Sequence, residues 1–454
     1  MTDISRVFAT YALTQSVFSD SAYDAAKTFL LDSLGVGIAG SNAPFQDSVY
    51  AVVRQWGEGG DVHLWGYGQT APQASAAYLN GFQIHSMEYD CVHEPAVVHP
   101  MATILAAIGS EVEARGKTSG FEVLEALIVA VDVAVELGVA VKSPLKFFRP
   151  ATAGLFGATL GIARLRGFDE ATALSAMGCA LAQCAGVMQA HVEGKPTLPV
   201  QIAGAARAAV VACDLAQAGL HGPEQSLEGP FGYFAMFEDE VDMKAAAAHL
   251  GKTHRITEVS WKPFPTGRAA QGGIPLVQRL MEQGVTAENL EYLELQAPPI
   301  IPRLVARPAT TGMSPNYARL CFPYLAAITL TRGTVGLEDF TQDSLDDPDL
   351  LTLAGKISVV TNHVEDPAEF VPQSAKAVLS DGTERLAMIA NLFGSPTDPL
   401  SREQHLEKFR TCVAFGLSKD KAGTVADGLI ARVDHLERFD DVRDLFRLAG
   451  GIIL

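Results

Sequence analysis

Three observations predict a mainly α fold with an inserted α+β domain, that is, a large helical domain carrying a smaller antiparallel-sheet lid. Helical periodicity and helix-start signals fill the chain up to about residue 250. Alternating and β-branched runs are confined to the region between about 290 and 390. The helical period then returns from about 402 to 450. The simplest division is a helical domain of residues 1–264 and 398–454, interrupted by an α+β lid of residues 265–397.

Each element has a local reason. Ser119 and Glu122 form a capping box ahead of an apolar run that begins at Val123. Glu125, Asp132 and Glu136 interrupt that run, and each would cost about 2.5–3.5 kcal/mol at mid-bilayer. It is therefore expected to be a core helix. Pro150 suits a first helical turn, where its missing N–H would have been unpaired anyway. Ala153, Gly157 and Gly161 follow at four-residue intervals and predict a close helix approach. Asp169 is expected to cap a helix running through Leu174, Met177, Leu181, Cys184 and Met188. Leu290 to Gln296 alternates like a strand, and Ile357 to Thr361 is β-branched. Ala375 to Leu379 runs through Ser380-Asp381-Gly382 into Glu384 to Ile389, a hairpin signal. Leu406, Phe409, Val413, Leu429, Val433 and Leu445 carry the last helical stretch.

Composition narrows the function. With 52 acidic and 34 basic residues in 454, the net charge is −18, and no basic run is interleaved with aromatics. Nucleic-acid binding and basic-patch membrane adhesion are excluded, since both need clustered cations. The 48% hydrophobic content against 19% charged supplies a large core and excludes disorder. Six cysteines without a C-x-x-C pair read as reduced thiols. The N-terminus shows no basic start followed by an apolar block, so no signal peptide is expected and the compartment is read as cytoplasmic.

Two long windows lack carboxylates. Lys142 to Gly167 contains Arg149, while Leu295 to Leu337 contains Arg303, Arg307, Arg319 and Arg332. A positive site within a negative shell is the expectation, with Arg149 favoured because it lies at a predicted helix N-terminus. The alternative is that these arginines meet acids distant in sequence. The densest polar cluster runs from Asn80 to Pro100 and holds His85, Glu88, Asp90, His93, Glu94 and His99. Its histidine intervals do not give the i, i+4 pair of a zincin, so no metal is expected. Acid–base chemistry fits better, because imidazole titrates near neutrality and a neighbouring carboxylate can orient it. Lys195 sits between Gly194 and Pro196. Lys262 and Arg268 flank the Pro263-Phe264-Pro265 turn at the predicted domain boundary. Either segment is a rigid connector or a bearer of functional groups.

Together these blocks resemble the MmgE/PrpD family. The resemblance is carried by Asn80-Gly81, His85, Glu88-Tyr89-Asp90 and His99-Pro100. It continues in Phe148-Arg149-Pro150, Glu228-Gly229-Pro230-Phe231-Gly232, Trp261-Lys262-Pro263-Phe264-Pro265 with Arg268, and Arg319-Leu320-Cys321-Phe322-Pro323-Tyr324. It implies a homodimer with a metal-free, cofactor-free site between a helical domain and an α+β lid, acting on small polycarboxylates. Carried over by position, the catalytic candidates are His99, Lys195, Lys262 and Tyr324. Glu88, Asp90, His93, Arg149 and Arg268 are expected to bind substrate. Four departures stand out: Arg149 replaces a family histidine, Cys91 an aspartate and Val92 a threonine, and Gly267 lies where a decarboxylase has histidine. Guanidinium holds its proton at neutral pH and shuttles it poorly. The expected activity is a lyase or isomerase that removes a proton next to a carboxylate. The alternative is a carboxylate-binding relative that has lost proton transfer.

Overall fold

Buried apolar side chains gather into two large clusters. One draws on residues between Ile4 and Val259 and again between Phe409 and Ala449. The other draws on Phe264 to Leu392. The computed structural model describes residues 3–366 and 369–453.

The first cluster is built by helices Asp20–Gly40, Gln73–His85, Pro100–Arg115, Gly120–Val139, Arg149–Leu165, Glu170–Leu181 and Leu198–Gln217. The expected capping box is present, with Ser119 N–H donating to Glu122 at 2.8 Å and Glu122 N–H to Ser119 Oγ at 3.3 Å. Asp169 caps its helix through Thr172 N–H at 2.8 Å, but the helix stops at Leu181, where Ala182 N–H closes it on the Gly178 and Ala180 carbonyls, and does not run on through Cys184 and Met188 as expected. The small-residue stripe serves close packing, because a Cβ on Gly157 would lie 2.4 Å from the Ala130 carbonyl oxygen. Among the described residues, only Leu198–Gln217 is long and apolar enough by composition to cross a membrane, and 61% of its apolar window is buried. Helix Gly120–Val139 is a core helix, as expected. Its buried Asp132 accepts from His254 Nδ1 at 2.9 Å, Arg255 N–H at 2.6 Å and the Tyr11 hydroxyl. Glu136 accepts from Arg255 Nε at 2.7 Å. Two buried carboxylates thus anchor the connector that leads to Trp261 and Lys262. All six cysteines are free.

A short hairpin, β1 (Val62–Leu64) and β2 (Gln69–Ala71), sits within the helical domain and was not legible in the sequence. The second cluster surrounds β3 (Leu290–Ala297), β4 (Ile357–Thr361), β5 (Gln373–Leu379) and β6 (Glu384–Ile389), in the order β4-β3-β5-β6. Three of these strands are antiparallel as expected, but β3 and β4 are parallel. The parallel pair needs a crossover, which helices Ile300–Val305, Phe322–Arg332 and Pro348–Ala354 supply. Gly382 turns the β5–β6 hairpin at φ +82°.

Helices Arg402–Gly416, Lys419–Asp434 and Arg443–Ala449 return to the first cluster. Lys408 reaches the buried Asp32 at 2.7 Å and donates to the Tyr89 carbonyl at 3.0 Å. The tail therefore braces the loop that carries Glu88 and Asp90.

Candidate active site

The loop between helices Gln73–His85 and Pro100–Arg115 carries most of the chemistry. The first helix ends at His85, while His99 immediately precedes the second, whose first residue is Pro100. Between them the chain doubles back, with Glu88 and Val97 both at φ +52°. Non-glycine residues in that region cost about 1–3 kcal/mol each. Bridges Val92–Ser260 and His93–Val98 hold the loop in place. The result places two imidazoles on one buried carboxylate: Asp90 Oδ2 lies 2.9 Å from His85 Nδ1 and 3.1 Å from His99 Nδ1. Lys262 approaches from the connector, with Nζ 2.8 Å from Glu88 Oε2 and 3.7 Å from Asp90 Oδ1.

Burial alone would raise the pKa of Asp90, but the two imidazoles and Lys262 overcome it and hold the carboxyl well below the usual range. Glu88 follows the same logic: burial opposes ionisation, yet Lys262, His85 and His99 bring it to about 2. Burial and Lys262 lower His99 below its ordinary value against the pull of Asp90. His85 moves the other way, because Asp90 and Glu88 outweigh its burial. Ionised Asp90 can only accept, so both histidines present Nδ1–H to it. His99 is left with a basic Nε2, which is the form a general base requires.

His99 and Glu88 line a cavity between the two domains, together with Phe148 and His191 from the first and Gly267, Arg268 and Leu304 from the second. Most of its wall is apolar. His85, Asp90 and His99 offer three ligand atoms within 4.8 Å of one another, a spacing that would suit a cation. Asp90 Oδ2 is already shared by the two imidazoles, and the Lys262 ammonium faces Oδ1 at 3.7 Å.

Of the sequence candidates, His99, Glu88, Asp90 and Lys262 come together, and Arg268 joins them at the cavity wall. Lys262 is wholly buried and is not part of that wall; its ammonium meets Glu88 and Asp90 instead. Arg268 is tied to Glu94 through Nε at 2.6 Å and to the carbonyls of Trp261 and Phe393 at 3.1 Å.

Four other candidates do not reach the cavity. Arg149 pairs in bidentate fashion with Glu238, at 2.8 and 3.2 Å, deep in the helical domain. His93 Nε2 meets Glu258 at 3.1 Å and its Nδ1 accepts Ala96 N–H at 3.2 Å, which braces the loop. Lys195 is exposed on the turn before helix Leu198–Gln217. Tyr324 is buried in the second core and donates to the Asp339 carbonyl at 2.7 Å.

The structure adds residues the sequence reading did not assign. His85 is the second imidazole on Asp90; its place in the polar cluster was the available signal. His191 lines the cavity and is lowered to about 4, chiefly by burial. Arg319 donates to the carbonyls of Met87 at 3.1 Å and Pro265 at 2.9 Å while stacking 3.9 Å over Phe340. Burial pushes it down to about 9. It joins the Glu88 loop to the Lys262 turn.

The MmgE/PrpD N-terminal domain model matches residues 6–246, and the MmgE/PrpD C-terminal domain model matches residues 264–428. The chain belongs to the MmgE/PrpD family. The second match extends past the sheet domain into helix Lys419–Asp434, so the family unit includes part of the returning tail. Similar members are a cis-aconitate decarboxylase of Mus musculus, 26% identical over 97% of this chain and 92% of the relative, and one of Homo sapiens, 26% identical over 99% and 95%. A cis-aconitate decarboxylase-like protein of Aspergillus oryzae is 24% identical over 94% of this chain and 92% of the relative. Within the family, these likenesses support an enzyme of the lyase type.

Proposed function

We propose that this protein is a cofactor-independent lyase of a small polycarboxylate, in which His99 moves the proton at a carbon next to a carboxylate. The observation that carries the reading is Asp90 bonded to both His85 and His99 at the wall of an interdomain cavity. Asp90 fixes the tautomer of His99, and Lys262 keeps His99 neutral and Glu88 ionised. His85, held between Asp90 and Glu88, is the adjoining proton reserve.

The named activity of the relatives makes cis-aconitate the first substrate to test. In a decarboxylation the C–C bond to the departing carboxylate breaks, CO2 leaves, and the electron pair stays on the carbon skeleton. A proton from the histidine pair then completes the product. In a dehydration His99 removes the proton and hydroxide departs from the neighbouring carbon. Return of the proton to the opposite face would make the reaction an epimerisation. All three require the same positioned imidazole.

Proton NMR in D2O, following cis-aconitate, citrate and related hydroxy and amino acids, tests the proposal. Turnover or deuterium incorporation by the wild type, lost in His99→Ala, is the expected result. Wild-type protein that binds these acids without either outcome favours the second reading, a carboxylate-binding relative. Arg149 motivates that reading, since it stands where the family resemblance places a histidine and is closed off by Glu238.

A further inference from the structure

The cavity has a shortage of available positive charge. Glu88 lines it in ionised form, and Asp90 lies behind. Lys262 is committed to Glu88, and Arg268 keeps a free buried Nη2 but has its charge balanced by Glu94 at 2.6 Å. A substrate with several carboxylates therefore meets a wall whose fixed charges favour cations. Some further group must receive the remote carboxylate.

Arg307 has the required properties. It lines a second cavity that shares Leu145, Met188, His191 and Leu304 with the first, so the two adjoin, one reaching His99 and the other Arg307. Among the described residues no carboxylate is ion-paired with it. Its Nη2 donates to the carbonyls of His191 and Leu304, both at 3.2 Å, and its guanidinium lies 5.0 Å over the Tyr317 ring. Its Nη1 is buried without a hydrogen-bond partner. The backbone is fixed as well: the Arg307 carbonyl accepts Cys321 Sγ–H at 3.1 Å, and Pro308 follows. A guanidinium at a cavity wall with no carboxylate partner of its own can receive an anion, and its planar fork suits a carboxylate.

We propose that Arg307 forms a second anion subsite, which takes the substrate carboxylate farthest from His99 and so selects acids by the number and spacing of their carboxylates. The proposal rests on the polycarboxylate reading above. It assigns Arg307 to binding and specificity, apart from the proton-transfer pair.

The test is calorimetric titration of the full chain with tricarballylate, succinate and butyrate, saturated acids that differ in carboxylate number. Wild type should bind tricarballylate or succinate more tightly than butyrate. Arg307→Gln should weaken the preferred polycarboxylate about 10- to 100-fold, the loss of one or two charge-assisted hydrogen bonds, and leave butyrate unchanged. Arg307→Lys should restore part of the loss. Phenylglyoxal modification of the wild type, mapped by peptide mass spectrometry, serves even if Arg307→Gln does not fold. The preferred polycarboxylate should slow labelling of Arg307, and butyrate should not. Equal affinity for all three acids, unaltered binding by Arg307→Gln, or unprotected Arg307 overturns the proposal. These readouts are independent of turnover. Deuterium exchange with unaltered Arg307→Gln binding would sink the subsite alone, whereas an intact Arg307 effect without any exchange would sink the lyase reading alone.

Discussion

Two histidine–aspartate pairs in this molecule share nearly the same contact and have opposite electrostatics. His254 Nδ1 lies 2.9 Å from Asp132 in the helical core, and His99 Nδ1 lies 3.1 Å from Asp90 at the cavity. Asp132 is otherwise satisfied by a tyrosine hydroxyl and a backbone N–H, so burial prevails and its pKa is raised. Asp90 has a second imidazole and a nearby ammonium, and its pKa falls well below normal. The histidines diverge as well: the hydrogen bond to Asp132 raises His254, while burial and Lys262 lower His99. An imidazole on a carboxylate is thus a structural joint until a cation is added behind it and a cavity in front.

The largest effect should come from the histidine that faces the cavity. His99→Ala is expected to lower kcat by 10²–10⁴-fold, measured as product formation from the substrate found by NMR, with a nearly unchanged thermal melt. A drop of less than tenfold would break the comparison, since His99 would then be another joint. Lys262→Met tests the added cation. It leaves Glu88 and Asp90 buried without their ammonium and should cost about 3–5 kcal/mol of stability by urea unfolding.

The same variant changes the pH profile. Because the His99 pKa is depressed, its base form persists below pH 6.5, and the acid limb of wild-type kcat/KM should fall below that value. Removing Lys262 removes one of the lowering influences, so the limb should move to higher pH. A limb that stays in place would show that Lys262 does not tune the base. Asp132→Asn addresses the other pair and should cost about 1–3 kcal/mol of stability, with kcat changed less than tenfold. The smallest effect is reserved for Tyr324→Phe, which removes one main-chain hydrogen bond in the second core. About 1 kcal/mol and unchanged kinetics are expected from melting and steady-state assays.

Signals that act within a few residues were legible in the sequence. The Ser119 capping box, the Asp169 cap, Pro150 and the Asp381-Gly382 turn each fix backbone locally, and the corresponding elements formed. The parallel pairing of β3 with β4 was not legible, because it joins segments some 60 residues apart through a helical crossover. The site divides in the same way. The Asn80–Pro100 cluster supplied Glu88, Asp90 and His99 because one loop folds on itself. Arg149 was misplaced because its partner, Glu238, is 89 residues away. Tyr324 and Lys195 rested on position within motifs, which does not say whether a side chain faces a core, a cavity or solvent. His191 and Arg307 meet only through tertiary packing; the acid-free window from Leu295 to Leu337 held Arg307 among four arginines but could not single it out, and His191 gave no local sign.

The Lys408 bond to the Tyr89 carbonyl spans 319 residues of sequence. A ribosome that has just polymerised the last strand of the sheet domain has already produced His85, Asp90, His99, Lys262 and Arg307, yet not the helix Arg402–Gly416 that steadies the loop between the histidines. Assembly of the reactive geometry is therefore a late event in biosynthesis. A nascent chain halted near residue 400 would contain every proposed acid, base and anion-binding group while lacking the brace that sets their spacing.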